Sequence, residues 1–227
     1  MKHLKGILSF ATFICLSLNG ELKESFSFSD RIQLLKMSTF GPTAQMLNDL
    51  NTSYSDDLVP DEIEWLEEQL NFPSAYDDPD DEWLTHFERT EQIATYLMPS
   101  VDFYEERNED GLKIFNRVTR DGNIQTYQMA AWWENAIGNK VLNDSVGSDQ
   151  LRQRIAYAFS QLLVVSRSAS PLNARAEGLA CYYDILCKNA FGNYESLLRQ
   201  IVRSPAMGVF LSSAFNKKAS LAANTRP

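Results

Sequence analysis

Histidine is the side chain that most metal and acid-base sites require, and beyond the first twenty residues this sequence holds one, His86, between Thr85 and Phe87. One imidazole makes no zinc site, because zinc takes three or four nitrogen, sulfur or oxygen ligands. A thiol–imidazole dyad with Cys181 or Cys187 is conceivable, since residues distant in sequence meet in a fold, but no local motif supports it. The plainer reading is a packed or surface histidine. No Gly-x-Ser-x-Gly elbow, phosphate loop or dinucleotide fingerprint is present.

Carboxylates crowd one stretch: Asp77, Asp78, Asp80, Asp81 and Glu82. Calcium is a hard cation that wants several carboxylate oxygens converging on one point, so this loop is the candidate metal site and calcium the candidate cofactor. The EF-hand pattern is not met. Its sixth position lacks glycine, and Arg89 stands where the closing glutamate belongs. A solvated acidic loop that leads into the next helix is the simpler reading, and no other cofactor is indicated.

Arginines supply the remaining polar candidates. Arg152 and Arg154 flank Gln153, and Arg199 and Arg203 lie four residues apart, one helical turn. Guanidinium forks pair bidentately with carboxylate or sulfate, so the four arginines could clamp an acidic or sulfated glycan. The alternative is internal pairing, for which Asp149, Asp184 and Glu195 are at hand. Trp132 and Trp133 carry the same ambiguity, since indoles stack on sugar rings and also fill cores.

The elements that position these residues are read from periodicity and caps. A short helix over residues 30–36 and a second over Ala44–Leu50, capped by Thr43, precede a core-facing helix at Asp61–Leu70 with Ile63, Leu66 and Leu70 on one stripe. A helix from about Asp81 to Leu97 follows the acidic loop. Leu112–Thr119 reads as a helix or, with Asp121-Gly122 as the turn, as one arm of a small β-hairpin near 112–127 whose other arm is Ile124–Tyr127. Gln125–Ile137 is helical. Ser148 or Asp149 caps the strongest core helix, running to about Ser166, with Leu151, Ile155, Ala158, Phe159, Leu162 and Leu163 at three- and four-residue steps. Helices at Ala174–Asn189, Tyr194–Arg203 and Pro205–Phe215 complete the chain. The fold class is therefore mainly α, an irregular multi-helix domain without repeats.

Twenty-one basic against thirty acidic residues give a formal net charge of -9 and a pI near 4.8, which argues against nucleic acid as a partner. Residues 1–20 read as a signal peptide: Lys2 and Lys5 precede the apolar run Ile7–Leu18, with cleavage expected after Gly20. That run is shorter than the roughly 20 residues a spanning helix needs, and no later segment is apolar enough to cross a bilayer. Phe13 and Ile14 before Cys15 are too bulky for a lipid-anchoring signal. The expected location is secreted, periplasmic or cell-surface. Cys181 and Cys187, on one helix and about 9 Å apart along its axis, are too far apart to bridge and are expected as buried thiols.

Asp149-Gln-Leu-Arg-Gln-Arg-Ile-Ala-Tyr-Ala-Phe-Ser-Gln-Leu-Leu-Val-Val-Ser166 resembles the signature of the family called domain of unknown function 1800. Tyr182-Tyr183-Asp184, Asn189-Ala-Phe-Gly-Asn-Tyr194, Ser204-Pro-Ala-Met-Gly208 and Asn216-Lys-Lys218 follow in the order that family uses. Upstream, Thr39-Phe-Gly-Pro-Thr43 and Trp65-Leu-Glu-Glu-Gln69 are similar to its opening elements. The resemblance implies that residues 21–227 are the N-terminal part of such a domain, truncated at Arg226-Pro227, where a segment beginning Arg-Pro-Asp-Glu-Asn-Tyr-Ala-Arg-Glu ordinarily continues. Many members carry Trp-His-Asn-His-Phe where this chain has Trp133-Glu-Asn-Ala-Ile137, so neither histidine's role transfers.

Members of that family are typically exported bacterial proteins without a settled activity, often encoded beside an exported sulfatase-like family. The implied function is non-catalytic or accessory work at the cell surface, on polysaccharide or with a sulfatase-like partner. The alternative is the N-terminal part of a hydrolase whose catalytic residues lie further on.

Overall fold

The structure, a computed structural model, describes residues 27–42, 44, 46–47, 50, 61–72, 84–97, 104–105, 114–115, 124–137, 149–170 and 172–216. The expected leader, the acidic loop 77–82 and the last eleven residues lie outside them.

Eight helices carry the described fold. Helix α1, Phe28–Ser38, starts at a capping box in which the Ser27 hydroxyl accepts from the Asp30 amide and the Asp30 carboxylate accepts from the Ser27 amide. Ala44, Met46, Leu47 and Leu50 are helical, in keeping with the short helix read there. Helix α2 is Asp61–Asn71. Leu35, Leu50 and Trp65 form the core between these N-terminal pieces, with Leu34, Met46, Leu47 and Leu66 packed around them.

Helix α3 runs from His86 to Leu97, starting later than its apolar pattern implied. Its start is set by a second box: the Thr85 hydroxyl accepts from the Glu88 amide at 3.2 Å, and Glu88 Oε2 accepts from the Thr85 amide at 2.9 Å. The hairpin expectation is corrected. Ile124–Tyr127 opens helix α4, Ile124–Ile137, and the short antiparallel ladder instead pairs β1, Tyr104–Glu105, with β2, Ile114–Phe115. Isoleucine and tyrosine suit either state, and here Tyr127 is buried against Ile93 and Ala94 of α3, a contact that only the helix provides.

Helix α5, Gln150–Leu162, stops four residues before the expected end at Ser166. Val164 and Val165 continue the apolar count without continuing the helix: the Leu163 amide closes the last turn on Phe159 O, and the Tyr182 hydroxyl donates to the Leu163 carbonyl. A 3₁₀ turn at Leu172–Ala174 leads into helix α6, Ala176–Lys188. Asn193 caps helix α7, Tyr194–Arg203, and Ser204 caps helix α8, Pro205–Phe210, with proline in the first turn. Pro205–Phe215 is not one helix. Ser212 takes a left-handed backbone with φ of 60°, and Ser213–Phe215 follow as a 3₁₀ turn.

Helix α6 is the hub, touching α3, α4, α5, α7 and α8. Its buried Leu179, Tyr182, Tyr183 and Leu186 recur at three- and four-residue steps, so one stripe reaches all these neighbours. With Ala156, Leu197, Ile201 and Ala206 they form the largest apolar cluster.

Candidate functional site

Where α3, α5 and α6 meet, a polar cluster is buried in the apolar surroundings. His86 is fully buried at the first turn of α3, its ring edge-on to Tyr183 with centroids 4.6 Å apart. His86 Nε2 donates to Gln153 Oε1 at 2.9 Å, because a carbonyl oxygen only accepts. Cys187 Sγ contacts the same oxygen at 3.7 Å, and Gln153 Nε2 donates to Asp149 Oδ2 at 3.2 Å. The thiol and the imidazole are thus joined through an amide oxygen, not in a direct dyad.

Asp184, on α6, accepts from the amides of His86 at 2.8 Å and Phe87 at 3.1 Å. It caps α3 from 98 residues away, with its charge at the positive end of the helix dipole. The start of α5 is closed in the same manner. Asp149 stands at the cap position but makes no side-chain cap bond; Gln69 of α2 accepts from the Leu151 amide instead, at 3.2 Å.

Burial dictates the protonation states. Desolvation, with a smaller contribution from Arg89, lowers the His86 pKa to about 4 despite the Gln153 hydrogen bond, which holds the ring neutral near pH 7. Burial raises Asp149 above the usual carboxylate range, against the opposing pull of Gln153 and Arg152. Beside the cluster, Arg89 Nε lies 3.8 Å from Glu134 Oε2, joining α3 to α4; burial raises the glutamate pKa and lowers that of the arginine, and each partly offsets the other's shift. The His86 Nδ1, Tyr183 hydroxyl and Asn135 Nδ2 atoms are buried without a hydrogen-bond partner among the described residues.

The four candidate arginines lie in different surroundings. Arg152 is buried, donates from Nη1 to Cys187 O at 3.2 Å, lies 4.0 Å from Asp149 and covers the Phe191 ring. Arg154 lies over Phe40 and Tyr157 and donates to Met37 O at 3.4 Å. Arg199 grips Glu195 with Nε and Nη2 at 3.0 and 2.7 Å. Arg203 is exposed at the end of α7. The thiols differ as well, Cys187 being buried as expected and Cys181 exposed, and neither forms a disulfide. No group of three or more His, Cys, Asp or Glu side chains that could hold a metal occurs among the described residues. Likewise, no helix of the described residues is long and apolar enough to cross a membrane.

The two tryptophans separate. Trp132 is wedged among Phe40 at 5.3 Å, Tyr157 at 5.8 Å and Tyr183 at 6.2 Å, whereas Trp133 keeps half its surface exposed and meets Trp132 edge-on at 5.0 Å. One turn earlier on α4, Met129 Sδ accepts from Arg167 Nη1 at 3.3 Å. Arg167 escaped the sequence reading because it lies beyond the helix that carries Arg152 and Arg154, in a serine-rich stretch with no periodicity to place it.

These features define a mainly α-helical chain in which, among the described residues, the His86 cluster is buried while Trp133 of α4 and Arg167 after α5 are exposed. The chain belongs to the family described as Protein of unknown function (DUF1800), whose model matches residues 33–224. No curated protein and no solved structure matches it.

Proposed function

We propose that this chain is an accessory, non-catalytic module working at the bacterial cell surface, where it recognises acidic polysaccharide beside an exported sulfatase-like protein. The observation that carries the reading is Trp133, half exposed and braced edge-on by the packed Trp132. A partly solvated indole is a platform for the apolar face of a sugar ring. The interior supports the same reading. Among the described residues His86, Gln153, Arg152 and Cys187 are almost wholly withdrawn from solvent, and their hydrogen bonds run to Asp149, to backbone and to one another.

The hydrolase reading keeps one observation in its favour. The unpartnered Nδ1 of His86 and hydroxyl of Tyr183 belong to rings in edge contact, an arrangement that a catalytic group supplied from further chain could complete. Titration of the purified chain with a polyuronate and with a sulfated polysaccharide, alongside size-exclusion analysis of the polymers, separates the two. Saturable binding, weakened by Trp133→Ala, with polymer length unchanged is expected of an accessory module. Shortened polymer would overturn it in favour of the hydrolase, and absence of binding to either polymer would remove the polysaccharide role.

A further inference from the structure

A cleft of about 250 Å³ opens between α4, the end of α5 and α6, lined by Gln128, Ser160, Gln161, Val165, Arg167 and Tyr182 among others. It is smaller than the roughly 300–1,000 Å³ that drug-sized ligands occupy, which limits it to a ligand of about one sugar ring. We propose that this cleft binds a single anionic sugar unit, with the Arg167 guanidinium receiving the acid group. This assignment rests on the acidic-polysaccharide reading above and gives that reading its subsite.

Three observations on the lining carry it. The Arg167 guanidinium is exposed, and its one hydrogen bond among the described residues goes to the thioether of Met129, a weak acceptor. A guanidinium in that state gains two parallel charge-assisted bonds when a carboxylate or sulfate arrives. Gln128 and Gln161 add amide donors and acceptors suited to ring hydroxyls, while Val164, Val165 and Leu179 present apolar surface to a sugar's C–H face. Finally, Met129, which Arg167 touches, lies four residues before Trp133, and residues at that spacing share a helix face. The residue that Arg167 touches and the exposed indole therefore lie on one face of α4.

The chain's net charge of -9 does not forbid an anionic ligand. At physiological ionic strength charges more than ~8 Å away are largely screened, which leaves the local guanidinium to decide.

Isothermal titration of the whole chain with glucuronate, glucose 6-sulfate and glucose tests the proposal and identifies the acid group. Measurable binding of at least one acid, with glucose weaker by roughly tenfold or more, is expected from one charge-assisted pair. Arg167→Ala should remove that advantage, and Gln161→Trp, at an exposed position on the rim, should block the cleft while leaving the thermal transition in place. Equal affinity for glucose and both acids, or acid binding unchanged in both variants, would overturn the assignment. Polyuronate binding that survives Arg167→Ala would overturn the cleft and spare the polysaccharide reading. Binding of glucuronate with no binding of any polymer would do the reverse.

Discussion

His86 is the residue whose chemistry is most altered by its surroundings. Its folded pKa, near 4, lies below the ordinary 6.5, so from about pH 6.5 down to about pH 4 the unfolded chain binds a proton that the folded chain refuses. Stability therefore falls as pH drops through that window, by about 3 kcal/mol for the full shift. Asp149 and Glu134, whose pKa values burial raises, act in the opposite sense, since the folded state holds their protons more tightly. Comparing urea unfolding of wild type and His86→Gln at pH 7 and pH 4.5 isolates the imidazole. The wild type should lose more stability than the variant on acidification, and parallel losses would show that His86 does not carry the effect. Thiol reactivity gives a second check at this scale: burial and the nearby carboxylates of Asp184 and Glu177 push the Cys181 thiol up to about 12, so it should label slowly in the folded chain although exposed, and Cys187 should label only after unfolding. His86 stood out in the sequence as the lone histidine, but its partners did not. Gln153 and Asp184 lie 67 and 98 residues away, and no local pattern connects them.

The helix ends show where local sequence suffices. Helix α7 runs from Tyr194 to Arg203, the bounds read from the sequence, and Asn193 and Ser204 do their capping within three residues. The boxes at Ser27–Asp30 and Thr85–Glu88 were equally local and fix the true starts of α1 and α3. Helix α5 ends before its apolar count does: Val164 and Val165 are apolar, but the Tyr182 hydroxyl donates at its end and the Gln69 side-chain oxygen accepts from the Leu151 amide at its start. Such tertiary caps leave no signature within a fifteen-residue window. Asp184→Ala removes the cap of α3 and should lower stability by about 1–2 kcal/mol in chemical denaturation, with Asp184→Asn recovering part of it. If both variants matched the wild type, α3 would not depend on this carboxylate.

At the scale of the whole molecule, α6 ties the fold together. Leu186 is fully buried within the largest cluster, and Leu186→Ala should lower stability by about 2–5 kcal/mol, the range for a cavity in a packed core. A loss near zero would mean that this cluster is loosely packed. The N-terminal pieces join through a different set of contacts: Arg31 pairs with Glu62 and bonds Leu50 O, and Phe40 packs on Trp132 and Tyr157 beneath Arg154. The mainly α class and the family were legible from ordered motifs and periodicity. The surface that the proposed function uses was not, because Arg167 is brought to Met129 of α4 by the turn after α5 and by no motif.

The accessory role and the recognition of acidic glycan meet in one experiment: incubating the whole chain with a polyuronate while following binding by calorimetry and polymer length by size-exclusion chromatography. Saturable binding that Trp133→Ala weakens, with polymer length constant through prolonged incubation, is the expected result. A fall in polymer length, or no heat of binding at any concentration reached, would contradict it.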